Sequence, residues 1–263
     1  MIVNSPPFTI GVSLKMYFGH VQATRWAEAI CAIASDHPAV ARGLADVFVL
    51  PSFPSLTPVR DALSGSGVRL GAQDLSWADS GALTGEVSGA ELAELGCTLV
   101  EVGHAERRSL FHEDDEIVSA KTAAALRNGL IPLLCVGEVQ RVSSAVAVLE
   151  VVSQLESALS ASTAAGLSGS LWVAYEPQWA IGASEPASAT HISAVVAGLE
   201  ASLAGLSAHA SSRVIYGGSA GPGLLTTLGG GVQGLFLGRF AHDPATLRLI
   251  LDEVYALASV DVL

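Results

Sequence analysis

The chain has 263 residues, half of them hydrophobic, only 14% charged and 6% aromatic, and its formal net charge is −12. That length suits one large α/β domain, whose core Ala, Val and Leu must fill because aromatic rings are scarce. The negative charge argues against a nucleic-acid surface and an anionic membrane, and any phosphate site has to be built locally against it.

Met1 to Phe8 has neither the basic stretch nor the apolar run of a secretory signal. Phe8 to Leu14 reads as the first strand, with Lys15 directly after it. Val21 to Ala34 carries Trp26, Ala29, Ile30 and Ile33 at helical spacing. A second strand, Asp46 to Leu50, stops at Pro51; a short helix spans Ser55 to Leu63, and Val68 to Ala72 is a third strand leading into Gln73-Asp74. After the polar loop Ser76 to Gly85, Ser88 is placed to cap a helix running through Leu95. Thr98 to Val102 is a fourth strand, closed by Gly103-His104. Asp114 to Asn128 reads as a helix, with acids in its first turn and Arg127 in its last, as the helix dipole prefers. Leu130 to Cys135 is the fifth strand, and a long helix follows from about Val142 to Ala165. The sixth strand, Leu171 to Tyr175, ends on Glu176, and Pro177 stops it pairing further. A helix from Ser188 to Leu203 precedes the seventh strand, Arg213 to Tyr216, which runs into Gly217-Gly218-Ser219. The eighth strand, Val232 to Leu237, runs into Gly238-Arg239, and Asp243 to Ala258 is the closing helix.

No uninterrupted apolar run is long enough to span a bilayer, and Cys31, Cys97 and Cys135 show no metal-ligand spacing. A cytoplasmic protein with reduced thiols is the simplest account. Strand and helix alternate about eight times without a linker, which predicts a single (β/α)8 barrel over residues 1–263. A doubly wound open sheet is the alternative, but no Gly-x-Gly-x-x-Gly follows the first strand.

The polar residues that stand out fall at C-terminal strand ends: Lys15, Gln73, His104, Glu176, Ser219 and Gly238. In a closed barrel these ends share one face. A Glu, a His and a Lys converging there suit proton transfer beside a carbonyl: the Glu removes a carbon-bound proton, the His polarises the oxygen and the Lys offsets developing charge. Trp179, Ala180 and Ile181, with Gly182 at the tip, read as an apolar lid over Glu176. Each residue has a plainer reading: Lys15 as a solvated cation, His104 as a satisfied core histidine, Glu106 with Arg107 and Arg108 as a structural ion-pair cluster, the glycines as turns. The glycine segments after the last two strands are also where such barrels bind phosphate through backbone N–H groups.

The segments Gly11 to Met16, Gly71 to Asp74, Gly81 to Glu86, Val102 to Arg108, Cys135 to Glu138, Ala174 to Gly182 and Tyr216 to Ser219, in that order, resemble the triosephosphate isomerase family. The resemblance covers nearly the whole chain. It implies a homodimeric barrel that isomerises a ketose phosphate with no metal or organic cofactor. Lys15 would be the active-site cation, His104 the electrophile, Glu176 the base and Glu106 a supporting group. Gly182, Gly217, Gly218, Ser219, Gly238 and Arg239 would hold the phosphate, and Gly81 to Glu86, with Thr84, would insert into a partner subunit. A Glu base paired with an uncharged His is an established feature of that family.

The chain departs from the family pattern around these residues. Ser13 and Leu14 stand where Asn and Trp are usual, Ala105 where Ser is, Ala183-Ser184-Glu185-Pro186 where Thr-Gly-Lys-Thr is, and Arg239 where a second Gly is. The smaller Ser13 leaves room for a longer substrate beside the reacting carbons. These departures, with Trp77-Ala78-Asp79, resemble a divergent branch linked to tetritol breakdown. L-Erythrulose 1-phosphate is then the expected substrate, triose phosphate the alternative, and a non-catalytic phosphosugar-binding barrel a third reading.

Overall fold

Eight short strands pair side by side in chain order until the last meets the first. The computed structural model describes residues 8–260; residues 1–7, which carry the reading on a secretory signal, and 261–263 lie outside the described residues. The strands are β1 (Phe8–Ser13), β2 (Ala45–Leu50), β3 (Arg69–Ala72), β4 (Leu99–Val102), β5 (Ile131–Val136), β6 (Trp172–Tyr175), β7 (Arg213–Tyr216) and β8 (Gly234–Leu237). All pairs are parallel, and Ile10 of β1 sits opposite Val47 on one side and Leu235 on the other, closing the barrel. This is the expected (β/α)8 architecture.

The helices are α1 (His20–Asp36), α2 (Pro38–Ala41), α3 (Leu56–Ala62), α4 (Gly89–Glu94), α5 (Ala105–Leu110), α6 (Asp115–Arg127), α7 (Ser144–Ala164), α8 (Ala189–Ala204), α9 (Leu224–Leu228) and α10 (Pro244–Val260). Ser88 caps α4 as anticipated, its hydroxyl accepting from the Glu91 N–H at 3.1 Å, and Asp114 caps α6 by accepting from the Ile117 N–H at 2.9 Å. The short α2, α5 and α9 were not anticipated, because four to six residues are too few to display a 3.6-residue period. By length and composition α7 could cross a bilayer. Here Glu150 and Glu156 interrupt it, and Ala147, Val151, Leu155 and Ala158 form its buried stripe.

Alternation along each strand sorts its side chains. On β1, Ile10 and Val12 face the helical layer, while Gly11 and Ser13 face the barrel interior. The interior is filled by Phe48, Leu50, Leu99, Leu133, Cys135, Trp172, Ala174, Ile215 and Phe236. The Phe48 ring lies 5.6 Å from Trp172 and 5.8 Å from Phe236, so three rings plug the middle of a chain otherwise poor in aromatics. Gly11 makes this possible, since a Cβ there would run into the Phe48 ring. At the N-terminal end, Asp46 takes Arg69 at 2.7 Å and Arg213 at 3.2 Å, and both guanidinium groups lie over Trp172. That end is sealed by charge pairs and stacking, which leaves the C-terminal mouth for chemistry.

Candidate active site

Lys15 leaves the end of β1 with φ of 46°, a left-handed conformation that an L-residue adopts only when its surroundings impose it. Gln73, expected in the mouth, supplies that constraint: its amide donates to the Lys15 and Leu50 carbonyls at 3.0 and 2.9 Å. The Lys15 ammonium thereby reaches 3.0 Å from His104 Nε2 and donates to Glu106 Oε1 at 2.8 Å. Burial works against this ammonium, but the carboxylates of Glu101, Glu106 and Glu176 outweigh it and hold its pKa above the ordinary lysine value. Lys15 is charged at any working pH.

His104 sits at the N-terminus of α5, where its Nδ1 accepts from the Glu106 backbone N–H at 3.1 Å. A nitrogen that accepts carries no proton, so the neutral ring keeps its proton on Nε2; the 3.0 Å approach of Lys15 to that atom is then a meeting of two donors, not a hydrogen bond between them. Burial and then the Lys15 charge push the imidazole pKa down to about 4. An uncharged ring with an outward N–H is suited to polarise a carbonyl.

Glu176 follows β6 and is 4% exposed. Its Oε2 lies 3.3 Å from His104 Nε2 but is not aligned for a hydrogen bond, and among the described residues it has no hydrogen-bond partner. The neighbour of His104 is Ala105, which has no hydroxyl to hold this oxygen. Burial first, and the charge of Glu101 second, raise the Glu176 carboxyl to about 8. It is a buried, unsatisfied oxygen with raised proton affinity on the wall of the mouth cavity.

These residues line one cavity of about 560 Å³ at the mouth, together with Ser13, Glu106, Gly182, Gly217, Ser219, Gly238 and Arg239. Gly218 is not on that wall; it packs against the Tyr216 hydroxyl and Pro177. The lid is tied down by Ser219, whose hydroxyl lies 2.9 and 2.8 Å from the Ala180 and Ala183 carbonyls, and by Tyr216, whose hydroxyl accepts from the Ala187 N–H at 3.1 Å. Its first residues hang on buried Glu138, which accepts from Tyr175 at 3.1 Å and from the Trp179 indole at 2.9 Å. The exposed Arg239 guanidinium stands beside Gly182 at the lid tip, with no carboxylate partner among the described residues.

The structural ion-pair reading holds for Arg107 and Arg108 but not for Glu106 as their partner. Glu106 pairs with Lys15, Arg107 joins Asp74 and Glu113, and Arg108 goes to Asp115. Glu101 joins the site without a sequence signal: it occupies an inward position of β4, and a single charge in a short alternating strand reads as its solvent side until the barrel buries both faces. Cys31, Cys97 and Cys135 are free thiols.

A model of the family described as "Triosephosphate isomerase" matches residues 8–254. An L-erythrulose-1-phosphate isomerase from Pectobacterium atrosepticum is 53% identical over 98% of this chain and 99% of its own. A Brucella abortus protein of the same description is 40% identical over 90% of this chain and 92% of its own. A triosephosphate isomerase from Mycobacterium avium is 47% identical, over 66% of this chain and 69% of its own. Among solved structures, the triosephosphate isomerase of Bartonella henselae superposes with a TM-score of 0.77 at 28% identity, covering 96% of this chain and 99% of that one. The match along nearly the whole barrel means that this chain belongs to the triosephosphate isomerase family of isomerases.

Proposed function

We propose that this protein interconverts L-erythrulose 1-phosphate and D-erythrulose 4-phosphate through an enediolate spanning C2 and C3. The observation that carries the substrate is the 53% identity, over 98% of the chain, to an L-erythrulose-1-phosphate isomerase, against 47% over two thirds of the chain for the Mycobacterium avium triosephosphate isomerase. A cavity wall formed by Ser13 supports it, because a short side chain beside the reacting carbons leaves room for a fourth carbon.

Glu176 takes the proton from C3, and the electrons of that C–H bond become the C2–C3 double bond while the C2 carbonyl oxygen gains the charge. Lys15 and the His104 N–H stabilise that oxygen. His104 relays a proton between the two enediol oxygens, and Glu176 returns its proton to C2, leaving the carbonyl on C3. The electrons leave one carbon and settle on its neighbour, so the step needs no redox cofactor. Burial of Glu176 keeps its basicity high, and the neutral His104 is matched to an oxygen that becomes anionic. Glu106 holds the Lys15 ammonium in line. The phosphate rests against Gly182, Ser219, the Gly217 and Gly238 segments and Arg239, whose unpaired guanidinium supplies a local cation in a chain of net charge −12.

The exposed loop from Gly81 to Glu86, with exposed Met16, Tyr17 and Trp77 as apolar contacts, inserts into a second copy to form a homodimer. The protein works in the cytoplasm, on a small phosphorylated sugar and without nucleic acid or membrane.

The test is turnover by the purified protein of L-erythrulose 1-phosphate and dihydroxyacetone phosphate side by side. A much higher kcat/KM on the tetrulose is expected. A clear preference for the triose would replace this reading with a triosephosphate isomerase. No turnover of either, with phosphoglycolate still bound, would leave a binding barrel.

A further inference from the structure

Glu101 is a charge that the proton-transfer steps do not use. β4 turns Val100 and Val102 toward the helices and Leu99 and Glu101 toward the barrel interior, where Leu133 and Cys135 are the neighbours on β5. The residue is 4% exposed. Among the described residues its carboxylate has no Lys or Arg within ion-pair distance; the nearest basic nitrogen is His104 Nε2 at 4.0 Å, on a ring that is uncharged. Its hydrogen bonds, both long, come from the Ser13 hydroxyl at 3.4 Å and the Cys135 thiol at 3.8 Å. Burial pushes its carboxyl up to about 7, with Lys15 opposing. A leucine would fill this place at lower cost, since a buried carboxylate without a paired cation destabilises a core.

Ser13 explains the placement. A serine hydroxyl can donate one hydrogen bond, and Ser13 donates it to Glu101 Oε2. What Ser13 turns toward the cavity it lines is then a pair of oxygen lone pairs. The Asn usual at this position in the family would offer an N–H instead. An oxygen that can only accept recognises a hydroxyl of the substrate, and discriminates against a substrate with no hydroxyl to offer there. Glu101 reaches both Ser13 and the neighbourhood of His104, which sets Ser13 within one carboxyl group of the imidazole that faces the reacting carbons.

We propose that Glu101 and Ser13 form a specificity-determining pair, in which the buried carboxylate accepts the hydrogen bond of the Ser13 hydroxyl and leaves Ser13 Oγ as the acceptor for the terminal hydroxyl of a four-carbon sugar phosphate. Ser13 touches the substrate; Glu101 is a positioning residue acting through it. The inference deepens the tetrulose phosphate reading and rests on it.

The experiment measures kcat/KM for L-erythrulose 1-phosphate and dihydroxyacetone phosphate in the intact protein and in Glu101→Leu, Ser13→Ala, the double variant and Glu101→Gln. The readout is the ratio of the two constants. Losing one oriented hydrogen bond is expected to lower the ratio about tenfold in Glu101→Leu, mainly through KM for the tetrulose. Ser13→Ala should lower it to a similar extent, and the double variant no further, because the two act as one unit. Glu101→Gln keeps an oxygen that accepts from Ser13 and should hold the ratio within about threefold of the unsubstituted protein. Leucine suits the apolar surroundings, so the protein is expected to fold, and Glu101→Gln answers the question if it does not: a ratio that collapses in that variant overturns the pair. So does a ratio unmoved in Glu101→Leu, or additive effects of the two single substitutions. The ratio before substitution tests the functional reading separately. A protein that prefers the triose yet loses a further tenfold in Glu101→Leu refutes the substrate reading and supports the pair; one that prefers the tetrulose with an unmoved ratio does the reverse.

Discussion

The carboxyl arm of Glu176 lies directly over the Cα of Gly217, so that a Cβ at Gly217 would collide with Glu176 Oε1, Cγ and Cδ. Gly217 has no left-handed φ, so its role is space and not backbone freedom. Gly217→Ala is expected to leave the fold intact and push the carboxyl off line. A displacement of about 1 Å at the reacting atom costs roughly 10²-fold in turnover. Steady-state kinetics on the substrate the protein turns over would read this. An unchanged kcat would remove Glu176 from the role of base.

The two pKa shifts at the mouth predict a pH profile set by carboxylates. Glu176 must be ionised to accept a proton, so kcat/KM should climb with pH through about 8 and not through the ordinary glutamate range. His104, pushed down to about 4, stays neutral across that window and contributes no limb of its own. An acid limb near 6.5 that disappears in His104→Gln would assign the titration to the imidazole instead.

The same shift has a consequence for stability. A carboxyl whose folded pKa lies above its unfolded value binds its proton more tightly in the native state, so its contribution is fully present below about 4.5 and is lost as pH rises toward 8. Thermal melts between pH 5 and 8 should therefore show a falling Tm. Glu176→Gln removes the titrating group, and at pH 8 it should melt about 5 °C or more above the parent, since ionising so buried a carboxyl costs a few kcal/mol. Identical Tm-versus-pH slopes in the two proteins would contradict the raised pKa.

Much of this arrangement was legible in the sequence, for physical reasons that also mark where legibility stops. Strand ends announce themselves through Pro51, Gly103, Pro177 and Gly217, so the positions of Lys15, His104 and Glu176 on one face followed from order alone. The partners of the charges did not follow. Glu106 and Arg107 are adjacent in sequence, yet α5 turns them to opposite tasks, Lys15 on one side and Asp74 with Glu113 on the other. Glu101 reads as the exposed residue of an alternating strand until the barrel closes and both faces are buried. Short helices such as α5 and α9 carry too few turns to leave a pattern.

Lys121 shows how strongly one such hidden charge is committed. It is 1% exposed, and its ammonium lies 2.7 and 2.9 Å from the Asp74 carboxylate oxygens and 2.5 Å from Glu113, which Arg107 also holds. Removing one partner of a buried charge cluster strands the others, at a cost of about 3–5 kcal/mol. Lys121→Met should lose that much in urea denaturation. Because Asp74 follows β3 directly after Gln73, and Gln73 holds the Lys15 carbonyl, kcat should fall with it. A loss below about 1 kcal/mol would show that Arg107 alone satisfies both carboxylates.

The hydroxyl of Tyr216 is the tie for the far end of the lid, accepting from the Ala187 N–H at 3.1 Å where Ala187 is 4% exposed. Tyr216→Phe keeps the ring that packs beside Tyr175 and deletes only that acceptor. A buried N–H left without a partner costs about 1–3 kcal/mol, and the lid escapes that cost by lifting into water. Hydrogen exchange across residues 181–187 should speed up, and kcat should drop about tenfold, because each 1.4 kcal/mol lost from the closed form removes a factor of ten from its population. An open lid also lets water reach the enediolate, whose electrons can expel the neighbouring phosphate when the cover is gone. The share of turnovers that release inorganic phosphate should therefore rise in Tyr216→Phe. Faster exchange with no change in phosphate release would mean that the Ser219 bonds to Ala180 and Ala183 alone keep the intermediate covered.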